Sequence, residues 1–207
     1  ISTNSRPHRF TFSGIYELPF GKNRSFGSKW NSWVDGFLGG WQLQAIYERQ
    51  SGEPLVLPNV YYNGDPSKLK NKLGQYDDQG RRYGVDIPAF DTAGFFLTNP
   101  TTGALTVPAF GGNYATSSQN VLRYMPYVLN NFRNQYFQKF DAGLTKNFKI
   151  REGMKLQVRV EGINVMNWVN FTGLNLSPST GTTSTFGLVN AQRNLPRDIQ
   201  LGARFTF

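Results

Sequence analysis

Over five stretches of this chain, apolar and polar side chains alternate with a period of two, each for about 9–11 residues. In Arg9–Leu18, the residues Phe10, Phe12, Gly14, Tyr16 and Leu18 share one side, opposite Arg9, Thr11, Ser13, Ile15 and Glu17. Trp41–Gln50 sets Trp41, Leu43, Ala45, Tyr47 and Arg49 against Gln42, Gln44, Ile46, Glu48 and Gln50. The same rhythm runs through Phe140–Phe148, through Met154–Ile163 and through Asp198–Phe207. Together, one side carries 21 apolar residues in 25 positions and the other carries 3 in 24. Successive side chains of a strand point to opposite faces, so this is the signature of half-buried β-structure. Strands of soluble folds usually run about 5–6 residues, whereas a tilted strand crossing a bilayer needs about 9–11. Length therefore favours an all-β fold, an antiparallel transmembrane β-barrel segment with its apolar side to lipid and its polar side to a wet interior. A soluble antiparallel sheet shows the same alternation with its polar face in water, so a β-sandwich binding module stays open at this point.

Composition excludes several other classes. Aromatics make up 15% of the 207 residues, too many for a disordered chain. With no Cys, there is no disulfide scaffold, thiolate metal site or cysteine nucleophile, and the lone His8 excludes a two-histidine site. No run of 18 apolar residues occurs, so no transmembrane helix is expected. The formal charge of +9 is scattered without a cluster of five basic residues, which speaks against a nucleic-acid partner. The chain begins at Ile1, as a processed chain or the visible part of a longer polypeptide would.

The connections set an orientation. Lys149–Gly153 is a tight turn, whereas Gly52–Lys139 and Val165–Arg197 are long and rich in loop-forming residues. Within Pro19–Gly40, Trp30–Leu38 reads either as a short amphipathic helix at the membrane edge or as irregular loop. A hairpin near Phe95–Val107 would relieve the improbable length of the largest connection. If Phe207 ends in the periplasm, parity puts Lys149–Gly153 and Pro19–Gly40 inside and both long connections outside, as in outer-membrane barrels. Phe10, Tyr16, Trp41, Phe148, Phe205 and Phe207 lie near strand ends, as interfacial aromatic girdles do, or are ordinary core aromatics.

Several segments resemble Oar-like TonB-dependent outer-membrane receptors. They are Arg6–Phe20 leading into Gly21-Lys22, Gly39-Gly40-Trp41-Gln42, and Gln50-Ser51-Gly52-Glu53-Pro54-Leu55. Asn131-Phe132-Arg133 follows, then Phe140–Phe148, Leu156–Asn167, and Asn194–Gly202 with its aromatic ending at Phe207. The resemblance implies the carboxyl-terminal part of a 22-stranded barrel that imports nutrients across the outer membrane of a Gram-negative-type bacterium. It further implies a plug, an inner-membrane energy-coupling complex as partner, and Phe207 as a signal for the barrel-assembly machinery. The plug and energy-coupling box are not among these residues, and five strands cannot close such a barrel. The rest of the polypeptide is therefore expected elsewhere, or this is a structural or accessory barrel subunit docked into a larger assembly.

No catalytic constellation or cofactor motif is present, so no enzyme activity, cofactor or metal is expected. Gly111-Gly112 lacks the residues of a phosphate loop, and Asp77-Asp78 with Gly80 lacks the full calcium-loop pattern. Asn170-Phe171-Thr172 matches a glycosylation acceptor in form alone. Lys155, Gln157, Arg159, Glu161 and Arg204 are expected to face the lumen, pairing across strands or lining a solute path. In the large connection, Tyr61, Tyr62, Phe95 and Phe96, with Tyr76, Tyr83 and Tyr114, either contact ligand or pack the loop against itself.

Overall fold

Glu152 and Gly153 suffice to reverse the chain, because Gly153 takes φ 78°, a conformation costly for a residue with a β-carbon. They join the longest strand to its neighbour in the computed structural model, which describes residues 2–58, 60–62, 64–92, 95–98, 105–106, 125–177 and 185–207. In chain order, the elements begin with β1 (Arg9–Glu17), α1 (Ser32–Leu38), β2 (Trp41–Gln50), β3 (Pro54–Val56) and β4 (Tyr61–Tyr62). A 3₁₀ turn (Pro66–Lys68), β5 (Phe95–Thr98), β6 (Leu105–Thr106), β7 (Val128–Arg133) and β8 (Phe137–Arg151) follow. The chain ends with β9 (Met154–Ile163), β10 (Phe171–Leu174), β11 (Val189–Gln192) and β12 (Asp198–Thr206). Two compact units result: a sheet unit of Arg9–Arg49, Gln138–Trp168 and Leu195–Phe207, and a loop unit of Ile1–His8, Gln50–Phe137 and Val169–Asn194.

The sheet unit holds five strands in the order β1-β2-β8-β9-β12. Its register settles the faces. Antiparallel pairing sets Leu144 opposite Val160, Phe148 opposite Leu156, Leu201 opposite Val160 and Phe205 opposite Leu156. Those residues share one apolar face, because directly paired residues of a sheet project to the same side. Among the described residues the strands form an open sheet and do not close into a barrel. The apolar face is not packed into a protein interior: Phe12 is 57% and Leu201 81% exposed, with Leu43 and Val158 only half-buried. A β-sandwich would hide these side chains against a second sheet.

Lys146 breaks the pattern. It pairs with Val158 on the apolar face, yet it is only 4% exposed. Its ammonium stands over the Phe148 ring (4.9 Å) and donates to the backbone oxygens of Gly39 and, at 3.4 Å, of Asp35.

The loop unit supplies every buried apolar residue identified among the described residues. Phe90 stands edge-on to Phe132 and Phe186 with ring centroids 5.2 Å apart, and Phe95 meets Phe186 at 5.4 Å. Leu55, Leu57, Val60, Leu69, Leu73, Ala89, Met125 and Leu129 complete the cluster. Such T-shaped pairs add about 0.5–1.5 kcal/mol each beyond their buried area. Gly52–Lys139 is accordingly no structureless connection. It folds with 169–194 around its own core, using the small sheets β3-β7, β4-β5-β6 and β10-β11. The expected hairpin near Phe95–Val107 is formed by β5 and β6, and it belongs to this unit and not to the five-stranded sheet.

Replacing Phe132 with alanine removes a fully buried ring and is expected to cost about 3–5 kcal/mol. The readout is faster cleavage of the 50–137 segment by added protease, while the sheet keeps its heat-modifiable folded mobility in gels.

Candidate functional site

Two surfaces, one in each unit, carry the chemistry. On the polar face of the sheet, the register brings together all five residues expected there. Lys155 pairs with Thr206, Gln157 with Arg204, Arg159 with Gly202 and Glu161 with Gln200. On the other side of β9, the same residues meet Lys149, Asn147, Thr145 and Gly143. Gln157 Nε2 donates to Asn147 Oδ1 at 3.1 Å across the strands, while Arg159 pairs with Glu161 at 3.4 Å along one strand. Both charges of that pair are well exposed, so the pair adds little stability. Lys155 and Arg204 are exposed on the same face. The result is a ladder of hydrogen-bonding and charged groups with no apolar interruption over three strands.

In the loop unit, the expected aromatic contacts divide. Phe95 is 0% exposed and sits at the centre of the core, which assigns it to packing and corrects its expected place on a ligand-contact surface. Tyr62 is half-buried with its ring 4.8 Å from that of Phe95. The side chains of Tyr61 and Phe96 lie outside the described residues, although their backbones pair between β4 and β5. Tyr114 also lies outside the described residues. Tyr76 is exposed with the Arg82 guanidinium 5.6 Å from its ring centre, and Tyr83 receives the Lys72 ammonium at 5.0 Å.

The Asp77 carboxylate is consumed locally, accepting from Gln79 N and Arg81 N and pairing with the Arg81 guanidinium at 2.7 Å. Among the described residues, no group of three or more His, Asp or Glu stands close enough to hold a metal. Asn170 is 2% exposed, which removes it as a glycosylation acceptor.

Sequence reasoning missed an ion-pair hub. Glu53 accepts from Arg6 at 3.1 Å and from Asn134 at 3.3 Å, and Arg193 stands 3.7 Å away. Burial alone would raise the Glu53 carboxyl. Its backbone hydrogen bond, Asn134 and Arg6 together outweigh that and hold it below the ordinary value. Beside it, Arg133 donates to the backbone carbonyls of Ser5, Gly52 and Asn130 and to Asn130 Oδ1, so its fork is spent within the loop unit. Gly52 leaves no room for a β-carbon, which would overlap the Asn134 carbonyl. Asn131 donates to the Pro66, Ser67 and Leu69 carbonyls. The signal for this hub was present as the segments Gln50–Leu55 and Asn131–Arg133, but nothing local tells that they meet.

The loop unit also holds a cleft of about 660 Å³. Val56, Val85, Leu174 and Val189 give it apolar walls, and Asn175 and Asn190 give it polar groups. Size and lining fall within the range of small-ligand sites.

The chain matches the outer membrane beta barrel domain family over residues 1–200. It belongs to that family. No curated protein and no solved structure matches it. Membership in the outer membrane beta barrel domain family places the protein in the outer membrane of a Gram-negative-type bacterium. In such a domain an apolar sheet face meets acyl chains, and the ladder of Lys155, Gln157, Arg159, Glu161 and Arg204 occupies the opposite face of this sheet.

Because the folded-state pKa of Glu53 is depressed, its stabilisation is fully present above the ordinary 4.5 and is lost as pH falls through the lower folded-state value. Glu53→Gln is expected to cost about 1–2 kcal/mol at neutral pH and to flatten that acid limb. Denaturant melts of the loop unit at stepped pH check it.

Proposed function

We propose that this chain is a barrel segment of a TonB-dependent outer-membrane receptor, working in nutrient uptake and not in catalysis. The observation that carries the reading is the convergence of Arg6, Glu53 and Arg133 on one hub. Each comes from a different segment that resembles the Oar-like receptors, so those segments act together as one structural device. The sheet supports the reading too. β1 and β12 are its edges, and an unpaired strand edge in lipid costs several kcal/mol per backbone group. Further strands of a large barrel, 22 by the resemblance, are the natural partners of those edges. The polar ladder then lines the lumen beside a plug, and the barrel-assembly machinery and the inner-membrane energy-coupling complex are the cellular partners. The loop unit stands outside the cell, where its cleft meets solute, and the Glu152-Gly153 turn stands in the periplasm.

Two measurements test this. Deleting the gene and deleting the energy-coupling protein are expected to give the same growth defect on one limiting nutrient; a defect unaffected by loss of energy coupling would leave an accessory barrel subunit. The chain contains no cysteine, so introduced thiols report sidedness cleanly. Asp78→Cys is expected to react with a membrane-impermeant maleimide in intact cells, and Glu152→Cys only after the outer membrane is opened. The reverse pattern would refute the orientation.

A further inference from the structure

Within the sheet unit, the segment from Leu18 to Gly40 ends in a helix whose apolar side is exposed among the described residues. Trp30, Trp33, Val34, Phe37 and Leu38 fall at helical spacing on one side of α1 and its approach, with Trp33 80% and Phe37 67% exposed. The helix is held firmly by its other groups. Asn31 caps its start by accepting from Val34 N at 2.8 Å, and Asp35 Oδ1 accepts from Lys22 N at 2.6 Å. At the other end, Trp41 Nε1 donates to Phe37 O at 2.9 Å, and Lys146 donates to the Asp35 and Gly39 carbonyls.

These last donors are decisive. Trp41 and Lys146 both project from the apolar face of the sheet, the face that meets acyl chains, so α1 lies on the lipid side of the wall. A lysine there would ordinarily be costly. Here the helix carbonyls take up its charge, and the partial negative end of α1 favours it. Among the segment's remaining charges Arg24 pairs with Glu17 at 2.6 Å, and the exposed Lys22 and Lys29 suit phosphate head groups.

We propose that Leu18–Gly40 is an interfacial membrane clamp. The Trp33–Phe37 side of α1 inserts at the boundary between phospholipid head groups and acyl chains, and Lys146 locks the helix to the barrel wall. The occupant is bilayer phospholipid, because the aromatic side continues the lipid-facing surface of the sheet, which Phe148 extends toward the same strand end. Trp and basic residues at this depth are the usual interfacial anchors. Assignment to the periplasmic leaflet rests on the orientation proposed above, and the maleimide experiment reads that separately. Lipid contact found from the opposite leaflet would overturn the orientation and support the clamp.

The test uses the native polypeptide in vesicles of phosphatidylethanolamine and phosphatidylglycerol, with an environment-sensitive fluorophore on Phe37→Cys. Its emission is expected to shift to the blue, to be strongly quenched by phospholipid brominated high on the acyl chain, and to be shielded from aqueous iodide. The same label on Ser25→Cys serves as the water-exposed reference. A Phe37 label as open to iodide as the Ser25 label overturns the proposal. Lys146→Met is expected to abolish bromolipid quenching at position 37 while the barrel keeps its heat-modifiable mobility; unchanged quenching overturns the lock. Should that variant fail to fold, Trp41→Phe removes one donor and keeps the ring, and it is expected to weaken the quenching in part.

Discussion

Backbone amides in hydrocarbon have no water to turn to, and that constraint orders everything else in the sheet unit. Each strand must satisfy its hydrogen-bonding groups on its neighbours, which is why β8 and β9 stay in register from Ala142 opposite Gly162 to Lys149 opposite Lys155. The side chains are then free to sort by face. The apolar side needs no close packing to be stable, since acyl chains conform to it. Leu201 can therefore stand exposed where a soluble protein would bury it.

The loop unit obeys the opposite rule. It buries its own aromatic surface around Phe90, Phe95, Phe132 and Phe186. Its polar staples work by exhausting their partners. Arg133 spends its donors on three backbone carbonyls and on Asn130 Oδ1, and Glu53 gathers Arg6, Arg193 and Asn134. Buried or half-buried charge of this kind is costly to leave incomplete, which ties the chain ends of the unit to one another.

The five membrane strands were legible because their signal is local: lipid on one side and water on the other impose a period of two on the residues themselves. Gly153 likewise announced its turn. The loop unit was not legible in the same way, because Leu57, Phe90, Phe132 and Phe186 come from segments without periodicity and meet only through tertiary folding. Phe95 looked like a binding aromatic in a connection rich in Tyr and Asn, and only the structure shows it enclosed. Lys146 was a blemish in the alternation of Phe140–Phe148. Its meaning depends on carbonyls more than a hundred positions earlier in the chain.

The Glu152-Gly153 reversal has a kinetic consequence. Closing two residues costs little chain entropy, whereas β2 and β8 meet only after everything between Gln50 and Phe137 has been gathered, and β12 waits on the stretch after Ile163. The β8–β9 hairpin is thus the cheapest piece of the wall to make. Two residues join its strands, the shortest connection between neighbouring strands of the five-stranded sheet.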